Sequence, residues 1–417
     1  MKRHGWHGLF ALALLAGAAG GGRADESAAV QKLEKMGARV QTDDAKPGKP
    51  IVAIDLRNTE ATNATVRELA QFKDLERLNL HGTEITDAAL KSLKELPRLR
   101  RLSLNRTAVT DAGLAELKGL KNLEGLRLAR TAVTDAGLKD LKELAALERL
   151  DLGGTKVTDA GLKELSGLKK LTVLDLYATA VTDAGLPHLK DLSGLRTLRL
   201  DETKVTDAGL KELRGLTDLR TLDLTGAAGV TDAGLKVVKE IKGLQRLDLG
   251  GTGVTDAGLK DLRELASLKS LELANTKVTD AGLKEVRELT KLTYLDLANT
   301  EVTDKGLKEL AALTGLEVLD LADTAVTDAG AKALPAFKKL TALDLHNTKI
   351  TDAALAEVKA LTGLKTLELQ HTAVTDEGLK ELHGLKELRT LDLSGTKTTE
   401  AGAAALKKAL PHVEIHR

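Results

Sequence analysis

The sequence predicts an α/β solenoid in which a long parallel β-sheet lines the concave side and short helices line the convex side. Three observations predict this fold: about 15 repeats of 24 residues fill most of the 417-residue chain, each repeat joins a strand-like pattern to a helix-like one, and only 1% of residues are aromatic. Self-similarity at such a period is the signature of repeat architectures. Because large globular cores normally use aromatic rings for their bulkiest buried groups, this composition favours a core of thin aliphatic layers.

Composition also excludes several classes of function. The chain has no cysteine, so it has no disulfide, iron–sulfur cluster, thiolate zinc site or cysteine nucleophile. Its 42% apolar and 29% charged residues are too balanced for a disordered chain. The 62 basic and 61 acidic residues give a net charge of +1, so we expect no general attraction to nucleic acid or to a membrane.

Residues 1–24 have the features of a secretory signal peptide. Lys2 and Arg3 precede an apolar run over residues 9–19, and small residues lead to Ala24. The run is short for a membrane span, and an uncleaved anchor helix is the alternative. We therefore expect a secreted or periplasmic protein that is not inserted in a membrane after cleavage. Cleavage would leave 59 basic and 61 acidic residues, a net charge of −2.

A threonine marks the register of the repeats, and residues 123–146 (LEGLRLARTAVTDAGLKDLKELAA) show one unit in full. The middle unit departs from this pattern, because Ala227 and Ala228 replace the threonine and one residue is inserted. That unit is either a bend or a tolerated insertion. The register threonines are Thr59, Thr83, Thr107, Thr131, Thr155, Thr179, Thr203, Thr252, Thr276, Thr300, Thr324, Thr348, Thr372 and Thr396.

Each unit encodes a strand, a turn and a short helix. Leu126 and Leu128 alternate with other residues at strand period, so both leucines face the same side. Thr134 and Asp135 supply helix N-cap chemistry, and leucines follow at helical spacing over residues 138–144. A lone unit buries too few aliphatic side chains to offset the entropy of ordering 24 residues, so the units must stack on one another.

The pattern LxxLxLxxTxVTDAGLxxLxxL resembles the leucine-rich repeat family over about residues 51–417. Its VTDAGL segment is similar to the repeats beside F-boxes in ubiquitin-ligase adaptors and to threonine-bearing repeats of secreted bacterial proteins. Two departures matter: threonine replaces the usual Asn or Cys at the register position, and no F-box-like module precedes the repeats. A ubiquitin-ligase role therefore does not carry over, and the resemblance implies a non-enzymatic protein-interaction scaffold.

The two ends of the array differ from its interior. The first unit lacks the VTDAGL motif, as expected of a terminal repeat. Before the repeats we predict a helix over residues 27–37 and a loop over residues 42–50. After them we predict a helix over residues 403–410 and a strand over residues 413–415. The predicted organisation is a signal peptide (1–24), an N-terminal cap helix and loop (25–50), leucine-rich repeats (51–398) and a C-terminal cap helix and strand (399–417).

Several recurring residues are predicted to be structural. The register threonine is expected to bond the turn backbone of the adjacent coil and so to build a ladder along the solenoid. Ala89 and Ala354 replace the glycine of VTDAGL in two units, so tight packing explains that glycine better than a positive φ does. Phe72 and Phe337 occupy a leucine position on the helix side and are expected in the core.

The strand residue between each pair of leucines should project from the concave surface, where repeat arrays usually bind partners. Eleven of these fifteen residues are acidic, including the last eight in succession. Adjacent strands lie about 4.8 Å apart, so these carboxylates would repel one another unless screened or paired. The fifteen residues are Asp55, Asn79, Ser103, Arg127, Asp151, Asp175, Arg199, Asp223, Asp248, Glu272, Asp296, Asp320, Asp344, Glu368 and Asp392.

The first half of this surface is instead rich in arginine, so the near-neutral net charge conceals a gradient from basic to acidic. We hypothesise that the acidic half binds a protein with a basic surface. The alternative is a solvated face on a structural envelope or extracellular repeat protein without a specific ligand. The predicted partner-binding residues are Tyr177, Asp223, Asp248, Glu272, Tyr294, Asp296, Asp320, Asp344, Glu368, Asp392, Arg77, Arg101 and Arg127.

No sequence motif indicates catalysis, since the chain has no nucleotide-binding glycine loop, HExxH, nucleophile elbow or EF-hand loop. His346 and His371 lie near Asp344 and Glu368 on neighbouring units, but scattered surface histidines are commoner than metal sites. Calcium along the acidic row is disfavoured because its ligands would come singly from a flat sheet. We therefore expect a monomer that is not an enzyme and that uses no cofactor, metal or nucleic acid.

Overall fold

The computed structural model describes residues 21–417, with side chains from residue 26 onward. The first helix, α1 (Gly21–Lys35), begins before the predicted cleavage point at residue 24 and continues beyond it. Residues 1–20 of the predicted signal peptide lie outside the described residues.

The described chain forms one sheet of 17 strands, which lie side by side in sequence order. The first pair is antiparallel, and the following pairs are parallel. The predicted α/β solenoid is confirmed. The strands are β1 (Arg39–Thr42), β2 (Ile51–Asp55), β3 (Arg77–Asn79), β4 (Arg101–Ser103), β5 (Gly125–Arg127), β6 (Arg149–Asp151), β7 (Val173–Asp175), β8 (Thr197–Arg199), β9 (Thr221–Asp223), β10 (Arg246–Asp248), β11 (Ser270–Glu272), β12 (Tyr294–Asp296), β13 (Val318–Asp320), β14 (Ala342–Asp344), β15 (Thr366–Glu368), β16 (Thr390–Asp392) and β17 (Glu414–His416).

The register of the sheet places equivalent residues of successive repeats beside one another. Leu126 of β5 pairs with Leu150 of β6, which lies one repeat later, and both are buried in the core. The flanking strand residues, such as Arg127 and Asp151, therefore form continuous rows on the opposite face. Strands stack at about 4.8 Å whereas packed helices need about 8–10 Å, so the sheet lies on the inner side of the curve.

Short helices follow the strands on the convex side. Apart from α1, the α-helices are α2 (Asn63–Glu68), α3 (Asp87–Leu90), α4 (Asp111–Ala115), α5 (Asp135–Leu141), α6 (Asp159–Leu162), α7 (Asp207–Leu210), α8 (Asp232–Val238), α9 (Asp256–Leu262), α10 (Asp280–Val286), α11 (Asp304–Glu309), α12 (Asp328–Ala331), α13 (Asp352–Val358), α14 (Asp376–Leu379) and α15 (Glu400–Ala409). Short 3₁₀ helices span Leu69–Gln71, Lys91–Glu95, Lys163–Leu165, Leu186–Leu189, Lys211–Gly215, Leu310–Ala312, Leu334–Ala336 and Lys380–Gly384.

The N-terminal segment covers the first repeat with a strand that the sequence did not predict. After α1, β1 pairs antiparallel with β2, and the loop follows β1. Lys32 of α1 also forms an ion pair with Glu68 of α2, with 2.6 Å between Nζ and Oε1. At the other end β17 pairs with β16, and Leu406 of α15 is buried.

The irregular middle unit is a tolerated insertion in a turn, because the sheet continues through it. Leu222 of β9 pairs with Leu247 of β10 in the register of the other strands. The extra residue lies in the turn after β9, where Ala227 is fully buried in place of the register threonine. The unit therefore lacks one side-chain hydrogen bond but keeps its place in the solenoid.

The register threonines form the predicted ladder, but the predicted hydrogen-bond partner was wrong. Each hydroxyl donates to a carbonyl of its own coil, three residues earlier, as Thr131 does to Leu128 at 2.6 Å. The same bond recurs at all 14 register threonines, from Thr59 to Thr396. A hydroxyl next to its own turn satisfies the nearest acceptor, so it closes each turn rather than joining two turns.

The side chains that join successive coils are the Thr and Asp of the VTDAGL motif. Asp256 accepts two hydrogen bonds from Thr279 of the next coil, one from the backbone N at 2.8 Å and one from Oγ1 at 2.7 Å. Thirteen such Asp–Thr pairs run from Asp87 to Thr399. Each carboxylate therefore bridges two coils, while the threonine hydroxyl usually also caps its own helix.

The same Asp explains the glycine of the motif. A Cβ added at Gly137 would lie 2.5 Å from Oδ1 of Asp111, so the glycine makes room for the carboxylate of the preceding coil. Ala354 occupies this position in one unit, and there Asp328 keeps both hydrogen bonds to Thr351. Tight packing, and not a positive φ, is thus the reason for the glycine.

A left-handed residue precedes the register position in every repeat, with φ between 50° and 74°. Gly, Asn or Asp fills ten of these fifteen positions, as expected for residues that tolerate a positive φ. The other five are Arg106, Arg130, Ala178, Glu202 and His371. The turn geometry is therefore imposed by the stacked coils even where the local residue disfavours it.

We predict that Asp256→Ala lowers the free energy of unfolding by about 1–3 kcal/mol, because the part-buried backbone N–H and hydroxyl of Thr279 lose their acceptor. Urea unfolding followed by circular dichroism measures the change. The matched control is Asp261→Ala in the same helix, which removes an ion pair to Lys239 at 2.8 Å. That change should cost less than about 1 kcal/mol. Equal losses in the two variants would contradict a special role for the Asp–Thr pairs.

Candidate binding site on the concave sheet

Three rows of side chains cover the sheet face that points away from the core. Row A is the first residue of each three-residue strand, row B is the last, and row C lies two residues after row B. In β12 and the turn after it these residues are Tyr294, Asp296 and Ala298, and the leucines between them are buried. The fifteen residues predicted to line the concave face form row B, and β17 adds His416 at its end.

Many row B carboxylates have a structural partner in their own turn. Asp320 accepts a hydrogen bond from the backbone N of Ala322 at 3.0 Å. Asn79 makes the equivalent bond to His81 at 3.1 Å, so a neutral amide can replace the carboxylate in this role. The bond recurs at Asp55, Asp151, Asp175, Asp223, Asp296, Asp344 and Asp392.

The acidic half of row B is more buried than a solvated face would be. Only 2% of Asp248 and 8% of Asp320 are exposed. Burial raises the pKa of Glu272 to about 7, and the neighbouring Asp248 and Asp296 carboxylates add to this effect. Burial, with Asp296 and Asp344, likewise raises the pKa of Asp320 to about 7. Ionisation of these carboxyl groups is therefore less favourable in the isolated protein than it would be in water.

Arg199 lies at the centre of a cluster of acidic side chains at the start of this region. Its guanidinium contacts Asp175 at 2.7 Å, Asp201 at 2.9 Å and Asp223 at 3.4 Å. It also lies over the ring of Tyr177, 5.8 Å from the centroid. Burial raises the pKa of Asp201 to about 7, with Asp223 adding to the effect and Arg199 opposing it. The cluster holds three carboxylates against one guanidinium.

Two other side chains offset part of the negative charge of row B. Arg246 in row A contacts Asp248 at 2.7 Å, yet burial still raises the pKa of Asp248 to about 6. His346 in row C lies 3.1 Å from a carboxylate oxygen of Asp344 and 3.1 Å from one of Asp323. Burial works against protonation of His346, but the neighbouring carboxylates prevail and its pKa is raised.

Two carboxylate oxygens in this region are buried without a hydrogen-bond partner among residues 26–417. They are Oδ1 of Asp201 and Oδ1 of Asp248. In neighbouring turns the row C N–H donates to the row B carboxylate, as Ala298 does to Asp296. Gly250, the row C residue after Asp248, makes no such bond to Oδ1 of Asp248. An unsatisfied buried acceptor costs free energy, which is consistent with the raised pKa of both groups.

The first half of the concave face carries arginine as the sequence predicted. Arg77 and Arg101 lie side by side in row A of β3 and β4, and Arg127 lies in row B of β5. Arg77 contacts Gln41 of β1 at 2.8 Å. Arg57 pairs with Asp55 in the first repeat. The structure thus brings the predicted basic residues together at one end and the predicted acidic residues at the other.

Sequence reasoning missed the side chains that cross between rows. Asp201, Arg246 and His346 were not predicted as site residues, because the period of the repeat identifies a row and not the reach of a side chain across rows. Tyr177 and Tyr294 do lie on this face, and both are half-buried. A signal for Asp201 was present, since it is the one acidic residue in row C.

The described residues contain no group of three or more His, Asp or Glu placed to hold a metal ion. His371 is the left-handed residue of its turn, and its ring lies against Gly395 of the next coil. Across residues 21–417, no helix combines the length and the apolar character that crossing a membrane requires.

Two family models match the repeats. A leucine-rich repeat region model covers residues 259–414, and a leucine-rich repeat model covers residues 146–166 and 244–262. These matches assign leucine-rich repeats to those residues. The sheet, the turns and the threonine ladder described above support the same repeat fold over the rest of the array. Its sequence matches no curated protein.

Solved structures with the same fold come from bacteria and plants. An internalin (InlF) of Listeria monocytogenes is 23% identical, with a TM-score of 0.59 over 89% of this chain and 95% of its own. A leucine-rich repeat protein of Leptospira interrogans is 23% identical, with a TM-score of 0.51 over 84% and 80%. The Arabidopsis receptor kinase HAESA is 14% identical, with a TM-score of 0.52 over 94% and 81%.

The raised pKa values predict an unusual dependence of stability on pH. In the unfolded chain the carboxyl groups have pKa values of about 3.9–4.3. In the folded protein the pKa of Asp248 is about 6, and those of Asp201, Glu272 and Asp320 are about 7. The folded state therefore binds more protons between these values, and these groups lower the stability as pH rises through this range.

We expect the melting temperature to be several degrees higher at about pH 5.5 than at about pH 8. A double variant, Glu272→Gln with Asp320→Asn, should be more stable than the parent at the higher pH and should depend less on pH. Differential scanning calorimetry in buffers of equal ionic strength makes the comparison. A melting temperature that rises steadily toward the higher pH would contradict the assignment.

Proposed function

We propose that this leucine-rich repeat protein is a secreted or periplasmic protein-interaction scaffold, and that the acidic half of row B binds a partner with a basic surface. The observation that carries the proposal is the run of eight consecutive acidic residues from Asp223 to Asp392 on adjacent strands. A partner that inserts Lys or Arg side chains between these carboxylates would relieve their mutual repulsion.

Burial and aromatic side chains both support this surface. Buried carboxylates with raised pKa values gain most from a cationic partner, because desolvated charges interact more strongly than solvated ones. Tyr294 lies in row A among these carboxylates. Burial raises the pKa of Tyr294, and the charges of Asp296 and Glu272 add to the effect. Tyr177 lies near the other end of the acidic region. Half-buried tyrosines are typical anchors of protein interfaces.

The solved neighbours support binding of polypeptides by this fold. The Arabidopsis receptor kinase HAESA was solved in complex with the peptide hormone IDA and the co-receptor SERK1. At 14% identity that structure supports the fold and not the ligand of this protein. The proposed partner class rests on the charge of row B.

We predict that Asp→Asn substitution at Asp296, Asp320 and Asp344 strongly weakens partner binding while the fold is kept. Asparagine preserves the acceptor for the turn N–H, as Asn79 shows. The mature wild-type protein, immobilised at about 0.15 M salt, should retain a protein that higher salt releases. Once this protein is identified and purified, calorimetry should show at least about tenfold weaker binding to the triple variant.

The matched control removes three negative charges from the convex side, by Glu→Gln substitution at Glu240, Glu264 and Glu288. These residues form exposed ion pairs with Arg214, Lys242 and Arg287. The control should bind the partner as the wild type does. Equal weakening by the two triple variants would contradict a site on row B. Self-association as the sole interaction would favour a structural protein instead.

We predict that N-terminal sequencing of the protein from the extracellular or periplasmic fraction begins near Asp25, directly after Ala24. Cleavage there would remove the first residues of α1, which spans Gly21–Lys35. An Ala24→Leu variant should keep its N-terminus, because signal peptidases require a small residue before the cut. Recovery of the uncut wild-type chain from the same fraction would contradict secretion through a cleaved signal.

A further inference from the structure

A second polar surface lies on the concave face, outside the acidic region. On β3, β4 and β5 and the turns after them, nine neighbouring positions in the three rows carry no acidic residue. We call these nine positions the donor panel. They are Arg77, Arg101 and Gly125 in row A, Asn79, Ser103 and Arg127 in row B, and His81, Asn105 and Ala129 in row C.

The sheet register holds the donor panel together. Arg77 pairs with Arg101 and Asn79 pairs with Ser103, so these side chains lie on adjacent strands about 4.8 Å apart. Asn105 fixes the next turn by accepting a hydrogen bond from the backbone N of Ala129 at 2.7 Å. Gly125 leaves row A open beside Arg101, whose Cγ would lie 3.6 Å from a Cβ added at Gly125.

Carboxylates border the panel on three sides. Beyond row A, Glu76 and Glu124 line the same depression as Arg77 and Arg101.

Along row B the panel ends at an acidic residue on each side. Asp55 precedes it in row B and is engaged by the guanidinium of Arg57 at 2.8 Å from Nε. Asp151 follows it and accepts hydrogen bonds from Gly153 at 3.1 Å and from Asn105 at 3.2 Å. On these three coils row B therefore has no acidic residue, and rows A and C carry arginine, asparagine and histidine.

The pKa of His81 reflects both burial and the positive charge in and around the panel. Burial lowers the pKa of His81, and the charges of Arg106, Arg57 and Arg127 lower it further, with only Asp55 acting in the opposite direction. Burial also lowers the pKa of Arg127, although the charge of Asp151 opposes this effect. Burial therefore disfavours positive charge at both His81 and Arg127, and an anion beside them would stabilise that charge.

We propose that the donor panel is a binding site for a phosphate or sulfate group, either free or as an ester. Three guanidinium groups on neighbouring strands supply forked donors that match tetrahedral oxyanions, and each carries five N–H groups. The amide of Asn79, the hydroxyl of Ser103 and the ring of His81 add neutral donors. Because the panel carries several positive charges, a doubly charged oxyanion fits it better than a single carboxylate.

This site is independent of the proposed partner surface, which lies on β9–β16. The test measures binding of inorganic phosphate, inorganic sulfate and a simple phosphate monoester by calorimetry, with chloride and acetate at equal ionic strength as references. We expect saturable binding of the tetrahedral anions and much weaker binding of acetate. Tighter binding of the monoester than of inorganic phosphate would identify an ester as the ligand, and equal binding would identify the free anion.

The variants Arg101→Gln and Arg127→Gln should each weaken phosphate binding by about tenfold or more, as expected for the loss of a charge-assisted hydrogen bond. The control Arg263→Gln, on the convex side, removes an arginine that pairs with Glu285 at 3.2 Å and should leave binding unchanged. The Glu272→Gln and Asp320→Asn double variant should also bind phosphate normally, which separates this test from that of the acidic surface.

Proton NMR of the His81 imidazole, assigned by comparison with His81→Gln, gives a second measurement. Bound phosphate should raise the pKa of His81, because its negative charge stabilises the protonated imidazole. Chloride at the same ionic strength should produce a smaller rise. Binding that the two arginine variants leave unchanged, or a His81 pKa that responds equally to phosphate and chloride, would overturn the proposal.

Discussion

The hydrogen bonds between the aspartate of one coil and the threonine of the next are the constraint on which this solenoid depends. Each carboxylate accepts from both the backbone N and the hydroxyl of its partner, as Asp256 does from Thr279. The pair fixes where each convex helix begins relative to its neighbour, and the glycine of the motif exists because the carboxylate needs its space. Strand register on the opposite side of the coil follows from the same fixed stacking.

The same register brings equivalent residues of successive repeats together on one continuous surface. Residues 24 positions apart become neighbours, so one choice of residue at row B, repeated eight times, creates a continuous acidic strip. The core leucines on either side of row B are unaffected by that choice. Charge on the concave face can therefore vary from coil to coil while the fold is kept, and the arginine-rich and acidic regions are two results of this freedom.

The fold could be predicted because the sequence of each repeat indicates a strand, a turn and a helix, and the 24-residue period shows that successive repeats stack in the same way. The sequence also identified row B and its charge gradient. It misassigned the hydroxyl of the register threonine, since a pattern shows that a donor recurs but not which of two nearby carbonyls it reaches. It missed β1, which pairs antiparallel and lies outside the repeat. The cluster around Arg199 and Asp201 was missed because the long side chain of Arg199 crosses between rows that the period keeps separate. Arg246 likewise reaches Asp248 from row A.

The irregular middle coil marks a boundary on the concave surface. The turn with Ala227 is the place where the spacing of the register positions changes, and the eight-residue acidic strip begins on that same coil, at Asp223. Before it, row B is mixed, and from Asp223 to Asp392 row B is acidic throughout. Because the sheet register continues through this coil, the mixed and the acidic parts form one unbroken surface whose charge changes where the spacing changes.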